Sequence, residues 1–217
     1  MILKRAVNII AFALALVLPR MLPAQGTIYL SNLDYTSVTN TVVGNDSWRA
    51  ADFRTGTNSL GYTLNSIKLL MDPASGNPSG FNVMLYSGGS VPGNYLGSLS
   101  GSDPATGGVF TYAASSLTLL PATFYYVVLT SGTSVADGAY NWSVASVGQS
   151  TVSDGWRLGG GYFGSSDGAS WTPYRPNPFQ FAVDATAIPE PAFCALVGLG
   201  LVGLRFWRCQ RRPVKES

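Results

Sequence analysis

The sequence predicts an all-β protein, an antiparallel two-sheet sandwich of jelly-roll-like type, flanked by an N-terminal signal peptide and a C-terminal transmembrane helix. Three observations carry that prediction. Residues 25–187 are a series of short runs rich in Val, Leu, Tyr, Phe and Thr, separated by clusters of Gly, Asn, Asp, Ser and Pro, which is the punctuation of strands and turns. No stretch before Ile188 shows the apolar period of an amphipathic helix. The long apolar runs outside this body, residues 6–18 and 192–204, lie at the two ends of the chain beside basic residues.

At the N-terminus, Lys4 and Arg5 precede the first apolar run, and Leu22-Pro23-Ala24-Gln25 follows it. A charged start, a short apolar centre and a small residue at a cleavage position make residues 1–24 a secretory signal peptide. An uncleaved N-terminal anchor is the alternative.

In the body, strands are expected at residues 27–30, 47–54, 63–71, 81–86, 95–99, 109–113, 124–130, 140–145, 155–158 and 178–184. Residues 124–130 are apolar on both sides, which places them in the middle of a sheet, as residues 67–71 are in part. The last strand alternates: Phe179, Phe181 and Val183 share one face, and Gln180, Ala182 and Asp184 share the other, so one face should be buried and one wet. Asp137-Gly138, Asp154-Gly155 and Asp167-Gly168 read as hairpin punctuation, because both positions of a type I′ turn need positive φ. The size suits one domain of roughly nine or ten strands. Residues 184–191, stiffened by two prolines, form a linker to the tail.

The formal net charge of +2 belongs mainly to the termini. Residues 25–187 hold five cations, Arg49, Arg54, Lys68, Arg157 and Arg175, against nine aspartates, a balance of −4 that argues against a nucleic-acid partner. The same residues contain no His, no Glu and no Cys. That composition excludes a serine–histidine triad, a cysteine nucleophile and a histidine-based zinc site, and the body is expected to be non-catalytic. No cofactor is expected either, with calcium the one candidate metal. Asp154 and Asp167, with Asp103 and Asp137, lie in Gly/Ser loops that could supply oxygen ligands, although no spacing matches an EF-hand and turn chemistry accounts for each of them.

Trp156, Tyr162, Phe163, Trp171 and Tyr174 cluster within twenty residues, among Gly159, Gly160, Gly161 and Gly164. Two fates compete for them. An exposed platform of Trp156, Tyr162, Trp171 and Tyr174, with Arg175 to bond hydroxyls, would make the domain a carbohydrate-binding module. Alternatively, the rings fill the core. Trp48 and Trp142 lie in regular strands, where core packing is expected. Paired aspartates could in principle cleave glycosides, a third reading that the turn positions of the aspartates disfavour.

The tail, residues 188–217, runs Pro189-Glu190-Pro191, then the apolar residues 192–204, then Arg205, Arg208, Arg211 and Arg212. As a helix, residues 192–204 would span about 20 Å against a bilayer core of about 30 Å, with Phe206 and Trp207 extending the anchor. This order of Pro-Glu-Pro, a short glycine-containing apolar helix and terminal arginines resembles the PEP-CTERM sorting signal. It departs from the usual pattern at Cys209-Gln210 and in the extension over residues 213–217. The resemblance implies a bacterial envelope protein that an exosortase, a membrane protease-transpeptidase, recognises and cuts near the motif. Glu190 is then a recognition residue.

The body has a resemblance of its own. Residues 48–56, 76–81, Leu85-Tyr86 with Pro92-Gly93, and Leu117-Thr118-Leu119 before residues 125–129 are similar to the choice-of-anchor R domain. That family implies a surface domain with no assigned activity. Together the expectations are an exported protein held at the inner membrane by its C-terminal helix before processing. It then lies at the cell surface or in the extracellular matrix, where its sandwich adheres or gives structure.

Overall fold

A computed structural model describes residues 26–146, 150–174 and 177–189. Every regular element among them is a strand: β1 (Thr27–Ser31), β2 (Ser37–Val43), β3 (Trp48–Arg54), β4 (Tyr62–Gly76), β5 (Asn82–Gly88), β6 (Pro92–Leu99), β7 (Gly108–Leu119), β8 (Phe124–Thr130), β9 (Gly138–Ala145), β10 (Thr151–Val152), β11 (Arg157–Ser165), β12 (Thr172–Tyr174) and β13 (Phe181–Ala187). A six-stranded sheet has the order β12-β11-β3-β8-β5-β6. A seven-stranded sheet has the order β10-β1-β13-β4-β9-β2, with β7 also paired to β4. The strand pairs are antiparallel, and the two sheets form a sandwich-like fold as expected. No helix in the described residues is long and apolar enough to cross a membrane. The expected signal peptide and C-terminal helix lie outside the described residues.

The core follows from strand alternation. Ala51 and Phe53 of β3, Tyr125, Val127 and Leu129 of β8, and Val83 and Leu85 of β5 point inward from one sheet. They meet Leu64, Ile67 and Leu69 of β4, Trp142 of β9, and Phe181 and Val183 of β13. Strand β8 is central, as its double-sided apolar pattern predicts, and all its residues after Phe124 are buried. Its outward residues Tyr126 and Val128 are covered by a second, smaller cluster with Ala50, Met84 and Phe163, over which Trp48, Tyr86 and Trp171 pack.

Several expectations need correction. The face of residues 178–184 expected to be wet is closed at Gln180 and Ala182, which are 0% and 1% exposed. The segment after β1 folds over it, and Gln180 Nε2 donates to the carbonyls of Asn32, Leu33 and Tyr35. Asn32 completes the seal: its Nδ2 donates to Phe179 O at 2.8 Å, and its Oδ1 accepts from Phe181 N–H at 2.7 Å. Strands β2, β10 and β12 were not expected from the pattern. β2 is largely Ser, Thr and Asn because it is exposed over much of its length, and β12 carries Pro173 at a sheet edge where proline is tolerated. Gly159, Gly160 and Gly161 lie within β11 at an irregularity in its pairing with β3, and a Cβ at Gly159 would collide with the Asp52 carboxylate.

Of the three Asp-Gly pairs, only Asp154-Gly155 has both residues at positive φ, 51° and 77°. The turn closes with Trp156 N–H donating to Ser153 O at 2.9 Å. It does not make a hairpin: β10 pairs with β1 and β11 with β3, so this turn carries the chain from one sheet to the other. In Asp137-Gly138 and Asp167-Gly168 the glycine alone has positive φ.

The described body begins and ends at the same end of the sandwich, here called the base. Thr27 pairs with Ala185 near the end of β13. Ile188 N–H donates to Gly61 O at 3.0 Å, and Asn58 Nδ2 donates to Ile188 O at 3.0 Å. Arg54 is near the base, since the chain just after it bonds to the β7–β8 connection through Thr55 N–H to Thr123 O. Strand β3 therefore runs from the far end at Trp48 to the base at Arg54, a rise of about 20 Å.

Candidate saccharide-binding site

The structure divides the aromatic residues grouped by the sequence. Trp156 is a core residue, 1% exposed, and leaves the expected platform. Its ring lies between Tyr29, with centroids 5.0 Å apart and planes at 12°, and Phe53, at 5.8 Å and 7°, while Tyr62 meets it edge-on at 4.9 Å. The cause is the Ser153–Trp156 turn, which drops the indole between the sheets as the chain crosses. Trp171 also leaves the platform: it packs over Phe163, on the face of β11 opposite to that of Tyr162. Trp142 is buried as expected, whereas Trp48 is only half-buried and packs outside the main core. Arg175 lies outside the described residues.

Tyr162 and Tyr174 remain together. They are register partners on β11 and β12, with ring centroids 5.2 Å apart and planes at 18°. Tyr174 is 45% exposed. Tyr162 leans on Phe179 at 4.7 Å, and Phe179 stacks on buried Trp142 at 4.0 Å with planes 2° apart. A row of rings thus runs from the core to solvent, holding the Tyr174 ring in place against a rigid backing.

Beside Tyr174 is a shallow polar depression of about 450 Å³, also lined by Arg49, Asp46, Ser166, Ser170 and Thr172. Its volume lies in the range of small-molecule sites. Arg49 was not singled out in the sequence, although the signal was present: it has the same parity in β3 as inward-facing Ala51 and Phe53. An arginine in an inward-facing row is unusual. Gly164 opposite makes room for it, since a Cβ there would come within 2.7 Å of Arg49 Nη1 and 3.0 Å of the Tyr174 ring. Nη1 donates to Trp48 O at 3.3 Å, and Nε is buried with no acceptor. Burial pulls the guanidinium pKa down from its ordinary value, and nearby Tyr162 and Tyr174 oppose that shift. The group stays cationic, because arginine does not deprotonate in proteins. Asp46, on the rim, has its Oδ1 engaged by Val135 N–H at 2.9 Å.

The aspartates proposed as calcium ligands are used in other ways. Asp167 Oδ1 accepts from Ser170 N–H, Ala169 N–H and Ser165 Oγ, and these bonds hold its carboxyl down at about 2. Asp103 accepts from Tyr140 Oη, Asp137 accepts from Ser134 Oγ, and Asp154 forms the sheet-crossing turn. Among the described residues, no three potential metal ligands of the His, Cys, Asp or Glu types come together. Of the residues expected to form a sorting motif, Pro189 is described and exposed, while Glu190, Pro191, Arg205, Arg208, Arg211 and Arg212 lie outside the described residues.

Comparison of the chain with protein-family models and with curated proteins finds no match.

Proposed function

We propose that this is an exported bacterial envelope protein whose tail, residues 188–217, acts as a PEP-CTERM-type signal for an exosortase. The body is a non-catalytic, jelly-roll-like sandwich of the choice-of-anchor type, displayed at the cell surface or in the extracellular matrix for adhesion or structure. One observation carries the display reading: the described body begins and ends at the base, whereas the Arg49–Tyr174 depression is at the far end of β3. A domain tethered at its base presents the opposite end outward. Its aspartates also support a non-catalytic body, since Asp46, Asp72, Asp103, Asp137, Asp167 and Asp184 all accept hydrogen bonds that brace turns or strands. Expression with a cognate sorting system should yield a protein in the envelope or matrix that is shorter than its precursor. Intact precursor confined to the cytoplasm would sink the proposal.

The second reading, carbohydrate binding, is favoured by the Tyr162–Tyr174 stack beside a hydroxyl-lined depression. Sugar faces stack on exposed rings, and serine and threonine can exchange hydrogen bonds with sugar hydroxyls. A glycan array should give hits that Tyr174→Ala weakens and Trp171→Ala leaves unchanged. An array without hits counts against it.

A further inference from the structure

We propose that the far-end depression takes an acidic saccharide, its carboxylate seated on the Arg49 guanidinium and its ring face on Tyr174. The inference rests on the saccharide reading and narrows it to a charge class. Its origin is the position of a cation. A partly buried guanidinium is normally paired with a carboxylate, because desolvating a charge is costly. Arg49 instead makes one bond, to the Trp48 carbonyl, and forms no ion pair among the described residues. Asp46 lines the same depression, but its Oδ1 is held by the Val135 N–H and it makes no ion pair with Arg49 among the described residues. The guanidinium therefore faces a polar hollow with no carboxylate bonded to it among the described residues.

The seat is also shaped. Gly164 provides the space the guanidinium occupies, and any larger residue there would press on both Arg49 and Tyr174. Nε is covered, so the terminal nitrogens are the ones that meet a ligand. A guanidinium binds a planar carboxylate through charge-assisted bonds about twice as strong as neutral ones. Ser166, Ser170 and Thr172 line the same depression and supply hydroxyls to it, and the Tyr174 ring, backed by Tyr162, offers the flat apolar surface. A neutral sugar would leave Arg49 desolvated and unpaired, which makes the site discriminate by charge.

The test uses the full-length chain in detergent, with polygalacturonate and its fully methyl-esterified form as probes, which share a sugar backbone and differ in charge. Calorimetric titration should show the ester binding at least about tenfold more weakly. Arg49→Gln should abolish that difference, whereas Tyr174→Ala should weaken both probes. Equal binding of the two probes by the wild-type chain would overturn the charge assignment while leaving the saccharide reading intact. Binding of neither would overturn both. If Arg49→Gln fails to fold, the wild-type comparison still decides, and Arg49→Lys should retain part of the preference.

Discussion

Replacing Trp156 with alanine removes the largest ring from a four-ring contact formed by Tyr29, Phe53 and Tyr62 around the indole. The site is fully enclosed between two sheets and cannot collapse without moving both, so the cost should fall at the usual level for a buried aromatic, about 3–5 kcal/mol. For a domain of this size that lowers Tm by about 6–20 °C. The indole N–H has no acceptor in its buried site. Trp156→Phe therefore keeps the stack while deleting an unsatisfied donor that costs about 1–3 kcal/mol, and it should melt much closer to wild type. Thermal unfolding followed by circular dichroism measures both variants. The reasoning is refuted if Trp156→Ala melts within about 2 °C of wild type, or if it loses saccharide binding with its stability intact, since the ring would then belong to a surface platform.

Three further outcomes are expected. Asn32→Ala strands the Phe181 N–H and Phe179 carbonyl in a fully buried site, and should cost about 3 kcal/mol in denaturant unfolding; a change below about 1 kcal/mol would mean that the lid over β13 is not held by this residue. The Asp167 carboxyl should titrate at about 2, not at its ordinary 3.8, in carbon-detected NMR. Because its pKa is depressed in the folded state, its contribution to the turn is present above 3.8 and is lost as pH falls through about 2; titration near 4 would show that the three donors do not hold it. Tyr126 is pushed up to about 12, first by burial and then by the Asp52 charge. A raised folded pKa means that stability is intact below pH 10.0 and declines as pH climbs toward about 12, so its phenolate absorbance should appear together with unfolding and not before it.

The parts of the fold that depend on local alternation were legible. The double-sided apolar run of β8 and the inward row Phe179, Phe181, Val183 are where period and composition place them. What failed depends on segments distant in sequence. Gln180 is in a polar row, but the chain after β1 returns across roughly 145 residues to cover it, and nothing in the local pattern of residues 178–184 reports that lid. Trp156 and Trp171 are close in sequence to Tyr162, yet a turn that crosses between sheets buries the first, and the β11–β12 connection sends the second to the opposite face. Arg49 was legible in principle, since its parity with Phe53 marks an inward cation. Its neighbours in the site, Gly164 and Tyr174, come from more than a hundred residues away, and only pairing of β3, β11 and β12 brings them together.

In the proposed arrangement the sandwich is held at its base and presents its far end outward. Because residues 25–187 contain no cysteine, a single probe can be placed there cleanly. With Cys194 and Cys209 replaced by serine, Ser166→Cys puts one exposed thiol on the rim of the depression. A membrane-impermeant maleimide added to intact cells should label it to the same extent as in a lysate. Labelling that appears only after lysis would contradict that arrangement.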